Sequence, residues 1–204
     1  MAARHLRGAA QLLLVPCYSL RVLGRWEVHV GSSPGTQLRL EEIFDFLNPR
    51  MVAAIRAAHE AYARLGIRHA LIGGMAVGVH GHPRATKDID FLVGSEAFES
   101  TGSIVSFRPG VPLAAEGVPV DSILAPKEHA TILDEGLAAA PSTDGVPVLA
   151  AEYLVYMKLV AGRRQDLADI GALVLANRVD LARARSLARA LEPSQQAELE
   201  KIIS

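Results

Sequence analysis

The stretch from His69 to Val93 constrains the fold of this chain more than any other part of its sequence. His69–Ile72 is short and apolar, as expected for a buried strand, and Gly73-Gly74 ends it. Small and apolar residues then predict a brief helix over Met75–His80, and a Gly-His-Pro loop leads to a second predicted strand, Asp88–Val93. A strand, a turn, a helix and another strand in this order indicate a mixed α/β core.

The segments around this core predict one long helix before it and mostly helices after it. Apolar residues recur at helical spacing from Leu40 to Leu65, where Gly66 ends the helix. Further strands are predicted at Ile104–Arg108 and Val118–Leu124. Beyond Pro126 we expect helices at Lys127–Ala139, Leu149–Gly162, Gln165–Ala176, Leu181–Leu191 and Ser194–Ile203. The predicted fold is α/β (α+β): a small mixed sheet flanked by helices, followed by a helical C-terminal half.

Three regions follow from this pattern: an N-terminal appendage (1–38), a core (39–126) and a helical C-terminal region (127–204). Within the appendage, Gly31–Gly35 is typical of a loop or linker. Leu20–Val30 suits one strand or a hairpin, although an over-long translated start explains the segment equally well, and poor order is an open alternative. We assign the appendage no chemistry.

The composition is that of a globular protein and excludes a disordered chain. Of the 204 residues, 50% are hydrophobic and 21% charged, with a net charge of −1, which is typical of a globular rather than a disordered chain. A near-neutral balance neither supports nor excludes an RNA partner.

Cysteine use and hydropathy indicate the compartment. Cys17, the single cysteine, cannot form an internal disulfide, which fits a reducing compartment. The run Ala9–Val15 behind Arg4 and Arg7 has the outline of a signal peptide, but it is short and no small-residue cleavage site follows. No run approaches the roughly 20 apolar residues of a membrane span. We expect a cytoplasmic protein with no membrane partner.

Asp88 and Asp90 are the first candidates for chemistry. They stand at i and i+2 around Ile89, so on a strand both carboxylates project from the same face. Two such carboxylates suit a hard divalent ion, which takes oxygen ligands. By itself the pair more often marks an exposed strand edge or a turn.

Gly73-Gly74 strengthens the case. A glycine pair between a strand and a helix lets backbone N–H groups face an anion at the helix N-terminus, although a plain strand-to-helix turn is the ordinary alternative. No Gly-Lys-Ser/Thr follows, which excludes a Walker-type loop. Arg84, Thr86 and Lys87, directly before the two aspartates, are candidates for contacts with a triphosphate.

These residues together resemble the nucleotidyltransferase superfamily of the polymerase-β type, and within it the toxin-like branch that includes the abortive-infection AbiEii proteins. The resemblance covers residues 40 to 175 and rests on Leu71-Ile72-Gly73-Gly74-Met75-Ala76-Val77 and on His80-Gly81-His82-Pro83-Arg84-Ala85-Thr86-Lys87-Asp88-Ile89-Asp90-Phe91-Leu92-Val93. It implies that the Gly-Gly turn holds the triphosphate of an NTP and that the paired aspartates hold Mg²⁺, with two ions expected.

The reaction implied is transfer of NMP from an NTP to a hydroxyl acceptor in a toxin–antitoxin type enzyme. An RNA terminus, above all a tRNA 3′ end, is the leading acceptor, and a cognate antitoxin is a further expected partner. Aminoglycosides and protein hydroxyls are the acceptors of more distant relatives. A non-catalytic nucleotide-binding regulator of the same fold is the rival from another class.

Asp121 resembles the third carboxylate of that family, which lies on a neighbouring strand. It stands in Val118–Leu124, where an acid among apolar residues would be costly to bury without a partner. Pro119 favours an edge strand, which leaves a surface-facing aspartate as the alternative.

The segments Leu154–Ala161 and Arg163–Ile170 are similar to later motifs of the same branch, a Leu-xxx-Lys-xx-Ala and an Asp-xx-Asp. Lys158 lies in an otherwise apolar helical segment, so its ammonium either reaches an anion, such as a γ-phosphate or an active-site carboxylate, or extends to solvent. Asp166 and Asp169 share one face of the next helix; they either favour its N-terminus or orient Lys158 or Arg163. We predict that Lys158 is catalytic, together with Asp88, Asp90 and Asp121, and that Arg163, Asp166 and Asp169 contact the nucleotide.

Overall fold

The computed structural model describes residues 49–101 and 104–204, together with the backbone of 20–22 and 25–27. The chain divides into two compact units, Met1–Thr36 and Gln37–Ser204. Each unit is described by itself.

In the first unit the described residues form a hairpin. Strand β1 (Leu20–Val22) pairs antiparallel with β2 (Arg25–Glu27), with Leu20 opposite Glu27. This agrees with the hairpin alternative for Leu20–Val30. The remainder of the predicted appendage lies outside the described residues.

The second unit is built on a four-stranded mixed sheet. In spatial order its strands are β3 (His69–Leu71), β4 (Ile89–Val93), β8 (Val118–Leu124) and β7 (Ala114–Ala115). β4 pairs antiparallel with β3 and parallel with β8, while β7 pairs antiparallel with β8. The mixed α/β class predicted from the sequence is confirmed.

Helix α1 (Pro49–Arg64) covers one face of this sheet. Its buried residues recur at helical spacing and are Met51, Ala54, Ile55, Ala58 and Tyr62. The Tyr62 hydroxyl lies 2.7 Å from Ser122 Oγ on β8, and its ring meets Phe91 of β4 edge-on at 5.2 Å. Because side chains alternate along a strand, Asp90 lies on the opposite face from Phe91, away from α1. The predicted start of this helix, residues 40–48, falls outside the described residues.

Helix α2 (Gly73–Val79) begins at the first glycine of the pair, two residues earlier than predicted. His80 follows it and is buried, and its Nε2–H donates to the carbonyl of Leu149 at 2.8 Å. That contact joins the end of α2 to the segment that precedes the next long helix.

A small hairpin that the sequence patterns did not predict lies in that segment. β9 (Ser142–Thr143) pairs antiparallel with β10 (Val146–Pro147) around Asp144-Gly145, both with positive φ. The chain then runs beside β3, where the N–H of Leu149 donates to the carbonyl of Leu71 at 3.0 Å. For this reason helix α4 (Ala151–Ala161) begins two residues later than predicted.

A second hairpin lies outside the central sheet. β5 (Phe98–Thr101) pairs antiparallel with β6 (Ile104–Phe107), and the rings of Phe98 and Phe107 lie 4.9 Å apart. The predicted strand Ile104–Arg108 therefore exists, but in its own two-stranded sheet.

The remaining helices lie within three residues of their predicted ends: α3 (Ala130–Ala138), α5 (Arg164–Leu175), α6 (Leu181–Ala188) and α7 (Pro193–Ile203). Gly162, with φ of 62°, ends α4, and the Asp180 side chain accepts hydrogen bonds from two backbone N–H groups at the start of α6.

One buried apolar cluster extends from Met51 to Leu199. The predicted core and helical C-terminal region share that cluster, and the boundary at residue 126 stays a prediction. No helix in the part of the chain described here is long and apolar enough to cross a membrane.

Candidate active site

Gly73 and Asp90 lie in direct contact where α2 begins. Gly73 has φ of +65°, and a Cβ there would come within 2.7 Å of Asp90 Cγ. The N–H of Ile72 donates to the Asp90 carbonyl at 2.9 Å, which holds the two segments together. Only a residue without a side chain lets the turn and the carboxylate approach so closely.

Gly74 is similarly confined. A Cβ at this position would lie 3.1 Å from the guanidinium of Arg84. The first N–H groups of a helix have no intrahelical carbonyl to bind, so the turn combines backbone donors with a nearby cation. This combination suits an anion.

The predicted carboxylates lie on or next to two paired strands. Asp88 directly precedes β4, and Thr86 Oγ1 donates to its Oδ1 at 2.9 Å. Asp90 and Asp121 are register partners of the parallel β4–β8 pair, so they share a face of the sheet. Asp121 is exposed.

The surroundings of Asp90 disfavour its charge. Burial, followed by the neighbouring charges of Asp88 and Asp121, raises the pKa of Asp90 to about 6, while Lys158 and Arg163 act in the opposite direction. Carboxylates held together against their repulsion are suited to a divalent cation, whose charge offsets theirs.

The donor set fits Mg²⁺ rather than a softer metal. The donors are carboxylate oxygens, which Mg²⁺ prefers, and Mg²⁺ is usually held by one or two carboxylates plus phosphate oxygens. In residues 49–101 and 104–204, no three His, Cys, Asp or Glu side chains gather around a single metal position. Asp88, Asp90 and Asp121 therefore do not form a complete metal site, and an ion held by them would need substrate oxygens as further ligands.

Lys158 is buried and bound to two carboxylates. Its Nζ donates to Asp169 Oδ2 at 2.6 Å and to Asp166 Oδ1 at 3.2 Å. Because Lys158 is only 6% exposed, the ammonium does not extend to solvent. Of the two anions expected for this lysine, a γ-phosphate or a carboxylate, the structure shows carboxylates, those of Asp166 and Asp169 on α5.

Asp169 is the centre of this group of charges. It is fully buried, and Arg84 binds it through two hydrogen bonds, Nε to Oδ1 at 2.9 Å and Nη2 to Oδ2 at 3.0 Å. Gln165 adds a third donor at 2.9 Å. Burial by itself raises the pKa of Asp169, but the hydrogen bonds from Arg84, Lys158 and Gln165 outweigh it and hold the pKa below its usual value.

Arg163 completes the group from the solvent side. Its Nε donates to Asp166 Oδ2 at 2.7 Å, although the Arg163 side chain is 78% exposed. Burial by itself would raise the pKa of Asp166. The hydrogen bond from Arg163 and the charge of Lys158 lower it by more, so the pKa lies below its usual value. We call Arg84, Lys158, Arg163, Asp166 and Asp169 the ion-pair cluster. With three cations and two carboxylates it carries one net positive charge.

A cavity of about 500 Å³ brings most of these groups together. The site residues predicted from the sequence that line this cavity are Gly73, Gly74, Arg84, Thr86, Asp88, Asp90, Lys158, Arg163 and Asp166. Asp121 and Asp169 lie outside the lining, the first beside Asp90 on β8 and the second behind Lys158. Lys87 is exposed and also lies outside it.

Sequence reasoning missed several residues of this cavity. Gln165, which lies between Lys158 and Asp169 in the sequence, could have been found as a polar neighbour at i−4 of Asp169. His129 and the apolar lining residues gave no local signal. Those apolar residues are Ile72, Ile123, Pro126, Leu133, Leu154, Met157, Val160 and Ala161.

Comparison with known proteins gives a distant likeness among solved structures. No known protein family matches the chain, and no curated protein does. Among solved structures, the chain is similar to an antigenic nucleotidyltransferase-like protein from Paracoccidioides brasiliensis, with 17% identity over 81% of this chain and 95% of that one. The TM-score is 0.38. A likeness this loose carries no argument about activity, which has to be argued from the site.

Proposed function

We propose that this chain is a nucleotidyltransferase that moves NMP from an NTP to a hydroxyl acceptor. The observation that carries the proposal is the contact between Gly73 and Asp90. It places a glycine turn at a helix N-terminus against a carboxylate with a raised pKa, and Asp88 lines the same cavity. An anion-binding turn beside metal-binding carboxylates is the arrangement that a metal-bound nucleoside triphosphate requires.

Asp88, Asp90 and Asp121 would hold Mg²⁺, and two ions are expected. The chemistry that such ions would supply there is charge stabilisation of the entering and leaving oxygens of an in-line displacement at phosphorus. Asp121, opposite Asp90 on β8, is the candidate base for the proton of the acceptor hydroxyl. The acceptor oxygen then bonds the α-phosphorus as the bond to pyrophosphate breaks.

The ion-pair cluster supports a triphosphate in two ways. Its net positive charge lies beside the cavity, where Arg163 is exposed and available to phosphate oxygens. Arg84 and Lys158 share Asp169, so they hold the loop before β4 against α4 and α5. Lys87 and Thr86 extend the predicted phosphate contacts along that loop.

The acceptor is proposed from the resemblance to the AbiEii branch. That resemblance supports an RNA terminus, with a tRNA 3′ end first, a toxin role with a cognate antitoxin, and a cytoplasmic location. Aminoglycosides and protein hydroxyls are the alternative acceptors.

Calorimetry with each NTP in the presence and absence of Mg²⁺ tests the proposal. Wild type and Glu99→Gln, an exposed change on β5 outside the cavity, should bind with the same Mg²⁺ dependence. Asp88→Asn and Asp90→Asn should lose at least about tenfold in affinity, since each removes one charged metal ligand. Equal binding by all four proteins would refute the proposed site.

Transfer is tested separately by incubating the protein with labelled NTP, Mg²⁺ and total RNA. Label should appear in RNA with wild type and not with Asp90→Asn. Label in aminoglycosides or protein instead would replace the RNA acceptor while keeping the reaction.

A non-catalytic nucleotide-binding regulator is the second candidate. The pairing of Arg84 and Lys158 with Asp169 favours it, because both cations already have carboxylate partners. Mg²⁺-dependent NTP binding without transfer to any of these acceptors would decide for the regulator.

A further inference from the structure

Part of the cavity wall is apolar and includes one polar side chain at a point where chemistry was not predicted. β8, the loop after it, α3 and α4 supply Ile123, Pro126, Leu133, Leu154 and Met157. Among these lies His129, the residue directly before α3. A largely apolar wall with a single placed polar group is the usual form of a pocket that binds a planar ring and reads its edge.

Tyr156 determines which ring nitrogen of His129 carries the proton. The Tyr156 side chain is 1% exposed, and its hydroxyl lies 2.8 Å from His129 Nδ1. Among the described residues, this is the hydrogen-bond partner that the hydroxyl has. A buried O–H without an acceptor is costly, so the hydroxyl donates to Nδ1 and the ring proton resides on Nε2. The rings meet edge-on at 81°, which holds the imidazole in place.

His129 is therefore left with a free donor. Its Nε2–H has no hydrogen-bond partner in the part of the chain that the structure describes, and the residue is partly exposed where it lines the cavity. Asp88 and Asp90 line the same cavity. The rest of a ligand whose phosphates bind beside these two aspartates would therefore contact the other walls.

We propose that His129 recognises the nucleobase of the bound NTP, donating a hydrogen bond from Nε2–H to an acceptor atom on the base edge, with the base against the apolar wall. This rests on the proposed function. His129 is the specificity-determining residue, and Tyr156 is a positioning residue that acts through it.

Calorimetry with four Mg²⁺–NTPs and with Mg²⁺–tripolyphosphate, which has no base, tests the proposal. His129→Phe keeps a ring on the wall but removes the donor. It should weaken binding of the preferred NTP about tenfold and reduce the differences among the four, while tripolyphosphate binding changes less than about twofold. His129→Gln places an amide N–H near the position of Nε2–H and should recover most of the affinity.

The position of the ring proton is measured independently by ¹⁵N NMR of the His129 imidazole. Wild type should show the Nε2–H form, and Tyr156→Phe should shift the ring toward a mixture of both forms and weaken the preferred NTP by several-fold. A wild-type ring protonated on Nδ1 would overturn the proposal.

The outcomes separate this inference from the proposed function. If wild type binds neither NTP nor tripolyphosphate, the proposed function fails and this inference with it. If wild type binds NTPs and His129→Phe binds them equally well, the inference alone fails. The inference also fails if His129→Phe weakens the binding of tripolyphosphate as much as the binding of NTP, because the effect would then be structural. It fails as well if His129→Phe impairs only the transfer to the acceptor and leaves NTP binding unchanged.

Discussion

Asp90 occupies the space into which a side chain at residue 73 would project, since a Cβ built on Gly73 lies 2.7 Å from Asp90 Cγ and 3.0 Å from Asp90 Cβ. The contact joins the first residue of α2 to the strand that carries the candidate metal ligand. Any change at residue 73 therefore acts on the backbone and on the carboxylate together.

Gly73→Ala should destabilise the protein more than Gly66→Ala, although both glycines have φ of +65°. Gly66 has open space around it, so its replacement adds only left-handed backbone strain, about 1–2 kcal/mol. Gly73→Ala adds overlap with Asp90, a further 1–3 kcal/mol or so. Urea unfolding of both variants measures the difference. Equal losses would show that the turn yields without disturbing Asp90.

Asp90→Asn should raise the melting temperature in the absence of Mg²⁺, because it removes a charge that burial and two neighbouring carboxylates disfavour. Mg²⁺ should stabilise wild type and Glu99→Gln but not Asp90→Asn, since only the folded site with its carboxylates binds the ion. Thermal unfolding with and without Mg²⁺ provides both comparisons. A melting temperature that responds to Mg²⁺ equally in all three proteins would contradict a role for Asp90 as ligand.

The stability of wild type relative to Asp90→Asn should depend on pH. The folded-state pKa of Asp90, about 6, lies above its usual 3.8, so the folded protein binds more protons than the unfolded one between these values. The Asp90 contribution to stability therefore falls as pH rises from about 4 to 6, by up to about 3 kcal/mol, and is constant above that window. Denaturant unfolding of both proteins from pH 4 to 8 gives this difference. An unchanged difference across the series would show that the pKa is not raised.

Two ion pairs of similar length should differ in their energetic contribution. The Lys158–Asp169 pair is buried at 2.6 Å, whereas Arg163 is 78% exposed in its 2.7 Å pair with Asp166. Asp169→Asn should cost about 3–5 kcal/mol because it leaves buried cations undercompensated. Arg163→Ala should cost less than about 1 kcal/mol, since the exposed guanidinium is solvated. Chemical denaturation compares the two variants, and similar losses would refute this ranking.

Local patterns were sufficient for the elements that frame the site. β3, the glycine turn, α2 and β4 were predicted from short-range signals: apolar runs, a glycine pair and helical spacing. The helices after residue 126 were also found within three residues of their ends. The strands β9 and β10 were missed because two-residue strands are too short to show alternation, although Asp144-Gly145 is a recognisable hairpin turn.

The sequence by itself determined that Gly73-Gly74 precedes a strand bearing Asp88 and Asp90, because backbone freedom and strand alternation depend only on neighbouring residues. Only the tertiary structure decided that Lys158 and Arg84 share Asp169, and that His129 lines the same cavity with Tyr156 behind it. Arg84 is distant from Asp169 along the chain, and His129 is distant from Tyr156. Their pairing follows from burial: once α4 packs against α2 and α5 packs against α4, charged and polar groups removed from water must bind one another.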